Sequence, residues 1–422
     1  MKSRLFIALS ILSSGLLAQT QQKEVDALVT PKVKELVMTV GGNDATVEGF
    51  NNQSIQFAID AVAKTGGTVK LNPGTYEIIA PVRLKSNVHL VGSGASETIL
   101  KKAKGFETPF VIDADFGELK LTVENPDGFQ VGMKVQITDS ENNSCWNVST
   151  AYITDISDNV IYIDKGLIRD YRSDKNGLIS NASSVIEALD IENASVSNLT
   201  ADGNRVDNFF ADGCNSAGIL IMRSKHVTVN KVHVKDFNGE GISWQITENV
   251  TIKNSEISGS GNTGLHPGTG SPFSVIENND IHNNDRDGLY ICWRVYESRV
   301  EGNKFHHNGR FGICTGHKDT DVTFAKNHVF ENQNDGINLR GEREPNAPHR
   351  NTFLNNVIEN NIGFGFSVNS PAKDLVLREN IFKNSAQTQK AAIYIYTNGS
   401  TPKLENNQFE KHELGEMVFE KN

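Results

Sequence analysis

A phrase of glycine, apolar residue, any residue, apolar residue returns along the second half of the chain at nearly constant spacing, and that spacing limits the fold more than any other feature. It opens at Gly218, Gly241, Gly264, Gly288, Gly312, Gly336 and Gly365, in steps of 23, 23, 24, 24, 24 and 29 residues. A second ladder keeps the period: Asn279/Ile281, Asn303/Phe305, Asn327/Val329, Asn356/Ile358, Asn380/Phe382 and Asn407/Phe409. The repeat is too short for two strands and a crossover helix, and Val250–Lys253 and Val322–Ala325 alternate apolar and polar as half-buried strands do. Helical repeats of about 34 to 45 residues are the rival, but Asn, Gly and β-branched residues dominate where helix formers would be needed. The reading is one coil per repeat, each strand stacked about 4.8 Å from its equivalent in the next coil: a parallel β-helix.

Composition sets the outer limits. With 422 residues, 37% hydrophobic and 22% charged, the chain has material for a large core. A formal charge of −10 excludes a general affinity for nucleic acid, so an anionic ligand must be held by a local cluster. Met1–Arg4 followed by the apolar run to Ala18 reads as a signal peptide over residues 1–18, too short to span a bilayer. The mature protein is therefore expected to be exported, secreted or periplasmic, without a membrane span. The cysteines Cys145, Cys214, Cys292 and Cys314 match no small stapled scaffold or zinc site. Cys292 and Cys314 fall on adjacent coils offset by two positions, roughly 8 Å apart and beyond bridging range. All four are read as free thiols.

Residues 19–47 read as a linker. In 48–104 a helical pattern runs from Asn52 to Val62, with Ser54 as N-cap and Gly66-Gly67 ending it, followed by Thr68–Leu71, the turn Asn72-Pro73-Gly74 and Val88–Val91. The helix is expected to cover the exposed end of the sheet stack. This opening resembles the N-terminal cap and first coils of the pectate-lyase-like superfamily of single-stranded right-handed β-helices. The resemblance implies a right-handed coil and an extracellular protein acting on polysaccharides, by lyase, hydrolase or epimerase chemistry, or a phage or adhesin protein. Residues 105–184 break the period, and their hairpin-like Ala151–Ile156 and Val160–Ile163 suggest a small antiparallel insertion, either a wall beside a site or a shield for the stack. Coils resume over 185–422. There Asp202–Arg205, Gly241–Gln245, Gly264–Gly268, Asp287–Arg294 and Gly316–Asp321 resemble secreted bacterial right-handed β-helix repeat proteins, a likeness that implies fold and location only.

Within each glycine phrase the second and fourth residues point inward, so the third and fifth point out. The outward columns are Ser243, His266, Tyr290, Cys314, Asn338, Ser367 and, beside them, Gln245, Gly268, Cys292, Gly316, Arg340. Just past them come Trp293 and Arg294, then His317, Lys318 and Asp319, then the insertion 341–350 with Glu342 and Arg343. Equal offsets stack Trp293 over His317 and Arg294 over Lys318, and repulsion within the cation pair would tune Lys318 as a base. His317, Lys318, His266 and Asp319 are therefore the catalytic candidates. Tyr290, Trp293, Arg294, Asn338, Arg340, Glu342 and Arg343 are the candidate substrate contacts. The strip is richer in bases and cations than in carboxylate pairs, which favours β-elimination of an acidic, uronic-acid-containing glycan. Hydrolysis with Asp287, Asp319 or Glu342 is the alternative, and glycan binding without catalysis a third. Asp287 and Asp335 also suit turns, and the Asn ladder suits coil-to-coil bonding. The Asp pairs with Gly-His-Gly of polygalacturonases and the Asp-Pro-His-Asp of mannuronan epimerases are absent. No cofactor is implied, Ca²⁺ is left open, and a monomer with a polysaccharide or oligosaccharide partner is expected.

Overall fold

The structure, a computed structural model, describes residues 36–421. The signal-peptide reading and most of the linker lie outside those residues. The remainder of the linker segment is ordered into the fold: Val37–Gly41 is a strand paired in parallel with Gly67–Leu71 and with Val47–Glu48.

Among the described residues, a 22-stranded and an 11-stranded sheet are parallel and a six-stranded sheet is antiparallel. One coil supplies three short strands, for example Leu265–Gly268, Val275–Glu277 and Asp280–His282. This is the parallel β-helix that the repeat implied, with the right-handed coil that the resemblance implied. The glycine phrases form the 11-stranded sheet, and clearance explains their period. A Cβ on Gly264 would sit 2.8 Å from the carbonyl oxygen of Gly288, and one on Gly288 or Gly312 would sit 2.7 Å from that of the following glycine. Behind them Ile219, Ile242, Leu265, Leu289, Ile313, Ile337, Phe366 and Ile393 stack in register and are buried. Each such side chain contributes about 1.5–3 kcal/mol by leaving water.

The asparagines bind coil to coil. Asn303 Nδ2 donates to Ile276 O at 2.9 Å and to Asn327 Oδ1 at 3.0 Å, while its Oδ1 accepts from Asn279 N and Nδ2, both at 2.9 Å. A second ladder, Asn284, Asn308, Asn332 and Asn361, works in the same way and ends on Gln389. The helix Asn52–Ala63 buries Ile55, Ala58, Ile59 and Val62 against the first strands. Its N-cap is Asn51, whose Oδ1 accepts from Ser54 N at 2.9 Å. Ser54 is thus inside the helix, its hydroxyl turned back to Glu48 O at 2.8 Å.

The antiparallel sheet is built from Glu107–Pro109, Lys120–Thr122, Lys134–Thr138, Ser149–Ser157, Val160–Ile163 and Leu178–Ser180, around its own core of Phe110, Val135, Ile137, Ile161 and Tyr171. A buried ion pair fastens it to the coils: Lys134 meets Glu187, and Tyr152 OH donates to Glu187 Oε2 at 3.0 Å. No helix among the described residues is long and apolar enough to cross a membrane.

Asn303→Ala and Asn327→Ala should each leave buried amide and carbonyl groups unpaired, at about 1–3 kcal/mol per orphaned group. Thermal unfolding should show a clear loss of stability in both, and little change for Lys304→Ala on the exposed side of the same coil. Unchanged melting in the two Asn variants would remove the ladder from the account.

Candidate active-site cleft

The outward column of the 11-stranded sheet runs Glu187, Leu220, Ser243, His266, then Tyr290, Cys314, Asn338, Ser367 and Tyr394. Much of it is covered, where the sequence reading left it open. The antiparallel sheet and the loop after Phe209 lie over its start, and Ser243 Oγ donates to Gly213 O at 2.5 Å. Toward the other end, Asn338 Nδ2 donates to Ser367 Oγ at 2.7 Å, and that hydroxyl donates to Asp335 Oδ2 at 2.6 Å. Asn338 is thereby taken out of the substrate-contact set, being 7% exposed with its amide committed to the column.

Between the two covers the column opens at His266 and Tyr290 into a cleft of about 680 Å³. One wall is Asn143–Trp146 of the insertion, a second is Phe210 with Asp212–Cys214, and Arg286, Cys292 and Trp293 complete the rim. Three aromatic rings, Trp146, Phe210 and Trp293, are 39%, 45% and 46% exposed around it, as sugar-stacking surfaces require.

His266 is 6% exposed, and neither ring nitrogen has a hydrogen-bond partner; Nδ1 lies 3.5 Å from Glu240 Oε1, an ion-pair separation. Burial works against its charge, but Cys292 and Glu240 outweigh that and hold its pKa at about 10. Burial also raises the Glu240 carboxyl, with His266 opposing. Gly213 permits this burial, since a Cβ there would overlap the Glu240 carboxylate. The Tyr290 ring meets His266 edge-on at 5.6 Å, and burial raises its hydroxyl to about 12, so it stays protonated. Arg340 lies over that ring at 4.8 Å from its centroid and donates to Ile291 O at 2.6 Å. Gly316 makes this possible, because a Cβ there would strike the Arg340 side chain. Among the described residues, six of the ten buried side-chain polar atoms without a hydrogen bond gather here: Glu240 Oε2, Gln245 Oε1, Asn262 Oδ1, both His266 nitrogens and Arg340 Nη2. Of these residues Glu240, Asn262 and His266 line the cleft, where their free bonding positions suit a polar ligand.

The remaining sequence candidates divide. His317 stacks on Trp293 at 4.7 Å and takes Glu342 Oε2 at 3.1 Å on Nδ1, leaving Nε2 without a partner among the described residues. Asp319 is fully buried, accepting from Gly316 N at 2.8 Å and Val295 N at 3.2 Å, with Arg340 Nη2 3.5 Å away. It anchors a turn and sets the Arg340 position, and no substrate reaches it. Lys318 is exposed and does not line the cleft; the loop 341–350 bonds its backbone, through Asn346 O at 2.8 Å, and leaves the ammonium in water. That differs from the crowded base expected, since an exposed ammonium on a long stem is free to move away from Arg294. Arg294 and Arg343 are exposed, as is Arg286. Among the described residues none of these three has a side-chain hydrogen bond, ion pair or ring contact. By contrast Arg205, Arg223, Arg299, Arg310, Arg350 and Arg378 each meet a carboxylate.

Sequence reasoning missed Glu240, Arg286, Trp146 and Phe210. Glu240 had a signal: it precedes a phrase glycine, as Asp287 and Asp335 do, but those two bond Arg310 and Ser367. The two aromatics come from segments outside the period. For Ca²⁺, the one close group of His, Cys and acidic ligands among the described residues is Cys145, Asp212 and Cys214, whose thiols suit soft ions and form no oxygen cage.

A family model described as "Rhamnogalacturonase A/epimerase, pectate lyase-like" matches residues 42–290, and one described as "Right handed beta helix region" matches 240–409. No curated protein matches the sequence. Among solved structures, the chain is similar in fold to the A-module of Azotobacter vinelandii mannuronan C-5 epimerase AlgE4, at 18% identity and a TM-score of 0.58 over 87% of this chain and 93% of that one. The corresponding A-module of AlgE6 gives 16% identity and a TM-score of 0.55 over the same shares.

The raised His266 pKa fixes a sign. Its folded value exceeds the ordinary 6.5, so its contribution to stability is fully present below about pH 6.5 and is lost as pH rises through about 10. Glu240→Gln removes one of the two groups holding that proton. The imidazole titration followed by NMR should then move well below 10, and the alkaline loss of stability should move with it; an unchanged midpoint would separate Glu240 from His266.

Proposed function

The chain belongs to the rhamnogalacturonase A/epimerase, pectate lyase-like family, and from that premise we propose that it is a carbohydrate-active enzyme cleaving an acidic polysaccharide by β-elimination at a uronic-acid residue. The observation that carries the reading is Arg286, without a carboxylate partner among the described residues, on the rim of a cleft that holds His266 and a protonated Tyr290, with Arg294 and Arg343 exposed and likewise unpaired outside the lining. A guanidinium left without a carboxylate on a chain of net charge −10 is suited to one supplied by the substrate.

In this mechanism Arg286 and cationic His266 bind the uronate carboxylate and stabilise the charge that spreads onto it when the C5 proton leaves. His317 takes that proton on Nε2, with Glu342 orienting the ring through Nδ1. The C5–H electrons form the C4=C5 double bond, the C4–O4 bond breaks, and Tyr290 gives O4 its proton. Trp293, Trp146 and Phe210 offer stacking faces to neighbouring sugars, and the exposed Arg294, Arg343 and Lys318 offer cations outside the cleft lining. Glu240 stays inside, holding His266 charged.

Hydrolysis is less well supported, because it needs two carboxylates flanking the bond. Asp287 and Asp319 are fully buried, and both Asp212 oxygens accept backbone N–H groups. Export is part of the proposal, since the substrate is a polymer outside the cytoplasm.

Acidic polysaccharides incubated with the protein should yield unsaturated, ultraviolet-absorbing ends. His317→Gln and Tyr290→Phe should each lower turnover by about 100-fold or more, and Arg286→Ala should chiefly raise KM. Reducing ends without unsaturation would replace the proposal with hydrolysis. Inversion at C5 without cleavage would keep the proton abstraction and replace the elimination. Binding without any product would leave a glycan-binding protein.

A further inference from the structure

Three of the four cysteines line the cleft, and two of them face each other across the junction between the antiparallel insertion and the coils. Cys145 Sγ and Cys214 Sγ are 3.0 Å apart, although 69 positions separate them in sequence. We propose that Cys145 and Cys214 are a cross-linking site, closing into a disulfide that staples the insertion to the loop forming the opposite wall of the cleft.

Asp212 prepares the pair. Its Oδ2 accepts from Cys145 N at 2.8 Å and its Oδ1 from Cys214 N at 3.0 Å, so one carboxylate holds both cysteine backbones. Asn215 Nδ2 adds a bond to Cys145 O at 2.7 Å. With the backbones fixed from both sides, only about 1 Å of sulfur movement separates this contact from a bond of about 2.05 Å. The same arrangement disfavours a metal: both Asp212 oxygens are committed to amides, which leaves two thiols where a soft ion commonly takes four ligands.

The two sulfurs differ as an attacking and a resolving thiol should. Cys145 is exposed, and the hydrogen bond from Cys214 draws its thiol pKa down; Cys214 is buried, and that bond together with burial pushes its own up. Cys145 thiolate attacks a disulfide oxidant such as oxidised glutathione, forming a mixed disulfide and releasing one thiolate. Cys214 then gives up its proton and attacks the Cys145 sulfur, which expels the second thiolate. Two electrons pass to the oxidant and two protons are released in all. Cys314, a 1% exposed member of the outward column, and Cys292, beside His266, remain thiols. Because Trp146 adjoins Cys145, the bond would fix one of the cleft's aromatic faces.

The test counts thiols in the full chain after treatment with oxidised glutathione, then denaturation. Two per chain are expected without reductant and four with it, with peptide mapping linking Cys145 to Cys214. Reduction should lower Tm, and Cys145→Ser should melt like the reduced protein with or without reductant. Four free thiols after oxidation, a bridge to Cys292 instead, or stoichiometric zinc protecting both sulfurs would each overturn the proposal. The readout needs no substrate, so it stands or falls apart from the elimination reading.

Discussion

The axial distance between coils governs this molecule. Parallel strands hydrogen-bond at about 4.8 Å, and at the start of each strand of the glycine-bearing sheet that leaves no room for a Cβ. A methyl group on Gly288 would stand 2.7 Å from the Gly312 carbonyl oxygen, far inside contact distance. The glycine ladder is therefore the sequence trace of a backbone approach. The asparagine ladders accomplish in the turns what the strands cannot, joining amide to carbonyl where the chain bends. With both in place, residues one period apart are stacked neighbours.

Such a stack yields columns, and a column is a strip with no depth. Depth here comes from segments that leave the period: the antiparallel insertion, the loop after Phe209 and the loop 341–350. The insertion and the loop after Phe209 cover the start of one outward column, its far end is closed by its own Asn338, Ser367 and Asp335, and it stays open at His266 and Tyr290. Glycines outside the phrase then let long side chains lie flat within the opening. Gly213 admits the Glu240 carboxylate, Gly268 the Gln245 amide and Gly316 the Arg340 side chain. Burying Glu240 beside His266 is costly for each alone, and it is Cys292 together with Glu240 that keeps the imidazole charged.

This division explains what could be read in the sequence. The coil, its inward rows and the stacking of Trp293 on His317 follow from the period alone, since equal offsets from successive glycines must meet. Burial does not follow, because it depends on segments remote in sequence. Asn338 and Asp319 occupy outward or turn positions in the repeat and are nevertheless enclosed, one by its own column and the other beneath Arg340. Lys318 failed as a crowded base for the opposite reason: the loop that reaches it bonds the backbone and leaves the side chain in water. The N-cap moved from Ser54 to Asn51 because both residue types cap well and helical periodicity does not fix the first turn.

The chain's net charge of −10 would repel a polyanion at long range, yet Arg286 stands on the rim of the cleft with no carboxylate partner among the described residues. At about 0.1 M salt the Debye length is about 10 Å, so acids on the far coils are screened from a ligand in the cleft while Arg286 is not. Affinity for an anionic chain is then decided by charges within roughly one Debye length of the opening, where the nearest carboxylates are already taken. Of the acids lining it, Glu240 is paired with His266 and Asn262 and Asp212 with two backbone N–H groups; farther out, Glu342 is held by His317, and Asp319 by Arg340 and the turn amides. An acidic protein can thus present a locally cationic cleft, provided its acids are bound internally before the substrate arrives.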